Sequence, residues 1–234
     1  MKNTLLAATA LLAAAVPQVS HAAIIVLDFE GLNSTVNEGP LNYYNGGAGS
    51  AGTTGGPNYG ITFSSNTITG CTQPNACANT NSAGNPSGSN IIFFLSGGAS
   101  TMNVAAGFDT GFSFYYSAAN QPGVVNVYSG LNGTGSILAT LTLPATGDGS
   151  GLPGCEGTNF CPYTAFGVTF TGTAFSVDFG GTADQIAFDN ITLGSETAGG
   201  AVPEPSTWAM MLAGFGMVGL GMRRRNTKTT VRYV

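Results

Sequence analysis

Asp28 and Glu30 stand two residues apart in the segment IIVLDFE, which runs from Ile24 to Glu30. On a strand, residues two apart share one face, so this pair offers two carboxylates side by side. Asp189 lies near the other end of the chain, in QIAFDNITL from Gln185 to Leu193. The apolar positions there are Ile186 and Phe188, then Ile191 and Leu193, and the phase slips by one residue at Asp189-Asn190. A β-bulge at that point returns the apolar side chains to a single face. If the first and last strands are neighbours, Asp28, Glu30 and Asp189 converge on a hard cation such as Ca²⁺, with Asn190 and backbone oxygens completing its shell. Oxygen-ligand binding of such a cation, a structural Ca²⁺, is the cofactor chemistry left open, and none is required. The plainer alternative is a set of solvated edge carboxylates, which discourage strand-to-strand association.

Other chemistry is thinner. Tyr43, Tyr44 and Tyr59 lie in a glycine-rich stretch and are candidate platforms for stacking on sugar rings; such tyrosines also commonly pin a loop by packing. A glycosidase needs two carboxylates facing each other across a cleft, but so many acids offer pairs that no single pair is informative. Cys71-TQPNA-Cys77 and Cys155-EGTNF-Cys161 are two equal brackets. Four cysteines allow three pairings. The matched short spacing favours Cys71–Cys77 and Cys155–Cys161, while five intervening residues exceed the usual spacing of a zinc knuckle.

The charge distribution excludes whole classes of function. All six Lys and Arg fall at Lys2 or from Arg223 onward, and the one His is His21. Of the 11 carboxylates, all but Glu204 lie between Ala23 and Val202. That region holds no cationic side chain, so it cannot displace counterions from phosphates, and nucleic acid is excluded as a partner. Serine or cysteine hydrolysis of the usual form lacks its base. No enzyme activity is expected.

The elements that must position these residues read as strands. Ile61-Thr62-Phe63, Ile91 to Leu95, Phe112-Phe114-Tyr116 in alternation, Val125 to Tyr128 and Ile137 to Leu143 are candidates, the last two joined by Ser129 to Ser136, whose Gly and Asn chemistry is that of a hairpin or tight connection. So are Phe166 to Phe170 and Phe175 to Phe179, joined by Thr171-Gly172-Thr173 as a tight hairpin. Leu41–Gly60 and Asn79–Asn90 read as loops. About ten short strands with glycine-rich turns and no helical period mean an all-β, antiparallel sandwich of jelly-roll-like topology.

The two ends carry addresses. Residues 1–22 read as a secretory signal: Lys2, an apolar run from Leu5 to Val16, then Ser20-His21-Ala22 for signal peptidase. The β-sandwich domain spans 23–200. Residues 201–225 contain Val202-Pro203-Glu204-Pro205-Ser206, an uncharged apolar run from Trp208 to Met222, and Arg223, Arg224 and Arg225. A short transmembrane helix over that run, stopped by the arginines, places residues 226–234 as a basic cytoplasmic tail.

Pro-Glu-Pro, short apolar helix and arginine cluster together resemble the PEP-CTERM sorting signal of Gram-negative bacteria. The resemblance implies processing near Pro203-Glu204-Pro205 by an exosortase, a membrane cysteine protease. It also implies a link to exopolysaccharide and biofilm matrix. The tail from Asn226 to Val234 is longer than is usual for such signals. Within the domain, Val125 to Leu143 resembles a stretch common in bacterial surface β-sandwiches with this signal. Leu27 to Leu32 and Ile186 to Ile191 resemble the paired terminal strands of galactose-binding-like and carbohydrate-binding jelly rolls. The expectation is therefore an exported protein that passes through the cytoplasmic membrane to the cell surface or extracellular matrix. Its role there is structural or adhesive; the alternative is a carbohydrate-binding module that contacts exopolysaccharide.

Overall fold

The computed structural model describes residues 24–72, 77, 81–199, 210–217, 219 and 232. Its strands, in chain order, are β1 (Ile25–Leu27), β2 (Ile61–Phe63), β3 (Thr67–Cys71), β4 (Asn90–Phe94), β5 (Ala99–Phe108), β6 (Gly111–Ala118), β7 (Gly123–Tyr128), β8 (Ile137–Leu143), β9 (Thr164–Thr169), β10 (Ala174–Gly181) and β11 (Ile186–Leu193). They form two antiparallel sheets. One has 6 strands in the order β3-β4-β11-β6-β9, with β1 also on β11; the other has 5 in the order β2-β5-β10-β7-β8. From β4 to β7, and again from β8 to β11, every strand crosses to the opposite sheet, the jelly-roll-like winding expected.

The crossing corrects one expectation. Thr171-Gly172-Thr173 does not close a hairpin, because β9 pairs with β6 while β10 pairs with β5 and β7. The tight turn carries the chain over the edge of the sandwich. By contrast, β7 and β8 do form an antiparallel hairpin.

The core lies between the sheets and is aromatic. Phe112, Phe114 and Tyr116 alternate inward from β6 and are fully buried. Phe188 of β11 meets Phe179 of β10 with ring centroids at 4.9 Å and Phe114 at 5.4 Å, both edge-to-face. That geometry suits the ring quadrupoles and joins the two sheets. The bulge in β11 is present: Asp189 pairs Tyr115 and Thr192 pairs Ser113, so β11 carries one residue more than β6 over that stretch. Asn190 absorbs it with φ of 47°, and Ile186, Phe188, Ile191 and Leu193 all reach the core.

The outer face of the six-stranded sheet is covered. Phe160 and Tyr163 pack on Ile91 and Ala187, and Ala83 packs on Cys155 and Cys161 beside them. Beyond β11 the chain turns back over β6 and β9. Gly194 N–H donates to Gly111 O, Ser113 Oγ donates to Ser195 O, and Gly199 N–H donates to Thr192 Oγ1. Glycines make room for this strap: a Cβ at Gly167 would sit 2.0 Å from Glu196 O, and one at Gly111 2.7 Å from Glu196 N.

The bridges are Cys71–Cys77 and Cys155–Cys161, the local pairing. Each closes a small loop, worth about 2 kcal/mol in the chain-entropy model. Replacing Cys155 and Cys161 together by Ser is expected to lower unfolding stability by about that much, read from urea titration. Residues 210–217 are helical. No helix among the described residues is long and apolar enough to cross a membrane. The secretory signal, Val202 to Ser206, and Arg223 to Arg225 lie outside the described residues.

Candidate functional site

With one sheet covered, the outer face of the five-stranded sheet is the open one, and it mixes polar side chains with the half-buried Val124 and Tyr128. Thr101, Asn103, Asn126, Asp178, Thr140 and Thr142 project from it. The β7–β8 connection folds over this face and is tied to it. Asn132 N–H donates to Asn103 Oδ1 at 2.7 Å, and Asn103 Nδ2 donates to Asn132 Oδ1 at 2.9 Å. Gly133 N–H donates to Ser176 Oγ, which itself donates to Gly130 O. Asn132 and Gly133 both take positive φ, 55° and 66°. A side chain at Gly133 would also strike the Asp178 carboxylate at 2.8 Å. Inside the connection, Thr134 Oγ1 donates to Leu131 O and Ser136 N–H to Ser129 Oγ. The wall is therefore preformed.

Between this wall and the loop before β2 lies an open cleft of about 190 Å³. Asn45, Gly60, Thr62, Asn103, Ala105, Leu131 and Asn132 line it. No ionisable group is among them. Asn45 is exposed, and Leu131 is 44% exposed.

The tyrosines separate. Tyr43 and Tyr44 are buried, and Tyr44 Oη accepts the Phe29 N–H at 2.9 Å. They pin the loop by packing, and desolvation pushes both phenols above their ordinary pKa. Tyr59 is 40% exposed, stacks on Tyr44, and directly precedes Gly60 of the cleft.

The carboxylates separate too. β1 ends at Leu27 and Phe29 has φ of 63°, so Asp28 and Glu30 do not share a strand face. Both are exposed. Glu30 Oε1 accepts from the N–H groups of Ser89 and Asn90 at 2.9 and 2.6 Å, clamping the start of β4. Asp189 is fully buried. It accepts from Asn190 N–H at 2.7 Å, Asn85 Nδ2 at 3.1 Å and Ser87 N–H at 3.3 Å. Burial pushes its pKa up to about 7 against these bonds. Among the described residues, no group of three His, Cys, Asp or Glu side chains is placed to hold a metal ion. The expected convergence of Asp28, Glu30 and Asp189 is thus not what the described residues show: Asp189 sits on the outer face of β11, covered and hydrogen-bonded by Asn85 and Ser87, while Asp28 and Glu30 are exposed.

One carboxylate matters more than its sequence suggests. Glu38 is 1% exposed. Its oxygens accept from the N–H groups of Asn33, Ala51 and Thr53 at 2.8 to 3.0 Å, and from Thr53 Oγ1 at 2.6 Å. Burial opposes its charge, but the four hydrogen bonds outweigh it and hold the pKa below the ordinary value. It braces the loop that carries Asn45.

No curated protein matches the chain. Among solved structures, it is similar to the K2 cleaved adhesin domain of Lys-gingipain, 11% identical over 73% of this chain and 99% of that one, with a TM-score of 0.42. It is also similar to a carbohydrate-binding module from Cellvibrio mixtus lichenase 5A in complex with cellotriose. That match is 13% identical over 50% of this chain and 88% of that one, with a TM-score of 0.32. Residues 201–225 match the family model of the PEP-CTERM protein-sorting motif, so the chain carries the C-terminal sorting signal of exosortase substrates.

Proposed function

We propose that the protein is a non-catalytic, structural or adhesive component of the cell surface or extracellular matrix, delivered by exosortase sorting and linked there to exopolysaccharide. The observation that carries this reading is the pairing of a sorting motif with a domain that has no Lys, Arg or His between Ala23 and Val202. Such a domain lacks the usual bases of hydrolytic chemistry. Its uncompensated carboxylates favour solubility in a crowded matrix. The carbohydrate-binding alternative is favoured by the uncharged, amide-lined cleft. In a host with an exosortase, surface-extracted protein is expected to end near Pro203–Pro205 by intact mass. It is also expected to co-fractionate with exopolysaccharide. Protein that retains Trp208 onward in that host, or that partitions entirely away from polysaccharide, overturns the reading.

A further inference from the structure

We infer that the cleft between Leu131-Asn132 and Asn45-Gly60 is a binding subsite for a single unit of an uncharged sugar. This rests on the proposed link to exopolysaccharide and specifies the ligand class and the residues. Three observations point the same way. The first is the donor set. Asn45, Asn103 and Asn132 present side-chain amides and Thr62 a hydroxyl, and each such group can both donate and accept. A sugar hydroxyl also does both, so amides match it better than fixed charges do. Among the described residues, the Asn45 amide and the Thr62 hydroxyl have no hydrogen-bond partner. Asn103 spends its amide oxygen on the Asn132 backbone N–H and one Nδ2 hydrogen on Asn132 Oδ1, which leaves both Nδ2 hydrogens of Asn132, the second of Asn103, and a lone pair on each oxygen.

The second is charge. No cation lies anywhere between Ala23 and Val202, so an anionic glycan or a phosphate has nothing to pair with. No carboxylate lines the cleft, so a cationic polyamine or deacetylated amino sugar is not selected either. The third is shape. Ala105, Gly60 and Leu131 give the cleft an apolar surface for ring C–H groups. The volume of about 190 Å³ equals roughly six waters at ~30 Å³ each. That is room for one ring. A longer chain would run on along the Thr101–Asn126–Thr140 face outside it.

The wall is rigid before any ligand arrives, so little ordering cost is charged against binding. One ring in an open cleft nevertheless binds weakly, with Kd in the ~mM range. The test uses the protein purified from its exporting host, titrated with neutral cello-, xylo-, laminari- and galacto-oligosaccharides to about 10 mM. Oligogalacturonate is the anionic control. Side-chain amide resonances of Asn45, Asn103 and Asn132 are followed by NMR. At least one neutral series is expected to shift all three, and oligogalacturonate none. Asn45→Ala and Asn132→Gly are each expected to weaken binding about fivefold or more through a lost hydrogen bond. Asn45→Ala should leave Tm unchanged, because its side chain makes no hydrogen bond among the described residues. Asn132→Gly keeps the positive φ and the backbone N–H bond to Asn103 but loses the exposed Oδ1 acceptor, so a Tm drop of a few degrees is expected there and Asn45→Ala is the decisive variant. If no neutral sugar shifts these amides, or if oligogalacturonate shifts them equally, the inference fails. If Asn45→Ala leaves sugar affinity unchanged, it fails also. Co-fractionation with exopolysaccharide that survives Asn45→Ala and Asn132→Gly would overturn this subsite while leaving the adhesive reading intact.

Discussion

Glu38→Ala is expected to cost the protein about 4 kcal/mol or more of unfolding stability, the largest effect of any substitution outside the aromatic core. Truncation strands three backbone N–H groups and one hydroxyl that all aim at the missing carboxylate. Each buried donor left unpaired costs about 1–3 kcal/mol, and water entering the void recovers only part. Glu38→Gln keeps the shape but turns an –NH₂ toward donors, so it should lose about half as much. The pH dependence has a definite sign. The folded pKa is lowered, so the folded state holds the charged form more tightly than the unfolded chain does. The stability contributed by Glu38 is present above the unfolded value of 4.5 and is lost as pH falls through the lower folded value. Chemical denaturation of wild type and Glu38→Gln at pH 7 and pH 3 checks both statements: the difference between them should shrink at the lower pH. The cleft gives a second readout, because Asn45 belongs to the loop that Glu38 braces.

Asp189 should act with the opposite sign. Its carboxyl titrates near pH 7 in the folded protein and near 3.8 unfolded. Between those values the folded state keeps a proton that the unfolded chain has released, so stability falls as pH rises from about 4 to about 7. The integrated change is of order 4 kcal/mol. Above pH 7 both states are ionised and the slope from this residue vanishes. Asp189→Asn removes the titration. The expected result is a flatter stability profile from pH 4 to 7, with the difference between wild type and variant growing as pH falls. The slope is the diagnostic, since asparagine also sets an –NH₂ against the Ser87 N–H and costs some stability at every pH. An unchanged slope would mean that Asp189 is ionised throughout. Tyr44 and Tyr163 feel its charge, and Tyr115 is its cross-strand partner. Desolvation pushes the Tyr44 and Tyr163 phenols upward, so neither contributes below pH 8.

How much of this could be read from the sequence depends on whether the signal was local. The slip in apolar phase at Asp189-Asn190 marks the bulge, because a period of two cannot survive an inserted residue without one. The β7–β8 hairpin, the two bracketed disulfides and the Pro-Glu-Pro motif are local patterns as well, and each was legible. Two strands were not. β5 presents Ser100, Met102 and Val104 inward among Ala, Ser and Gly, too weak an alternation to stand out. β3 is five residues ending in Gly-Cys. The β9–β10 turn looked like a hairpin because its chemistry is that of a tight turn; which sheet a strand joins is a tertiary choice that no turn encodes. The tertiary choice also hid Glu38, whose partners come from residues 33, 51 and 53. The cleft is assembled from β2, β5 and two loops, and its residues have no common period. Tyr43 and Tyr44 were visible as aromatics in a loop, but only packing says that they face inward while Tyr59 does not.

The strap from Ser195 to Gly199 decides how a pull on the C-terminus enters the fold. Tension applied beyond Gly199 first meets the Gly199–Thr192 and Ser113–Ser195 hydrogen bonds, which lie crosswise on the sheet and yield one at a time. Behind them stands β11, bonded along its length to β6 on one side and to β4 and β1 on the other. To extract it, both ladders must slip together against the Phe114–Phe179–Phe188 cluster. A protein joined to a surface through its C-terminus would thus meet shear with a short compliant leader followed by a stiff stop: the strap peels first, then the central strand of the six-stranded sheet becomes the bearing member.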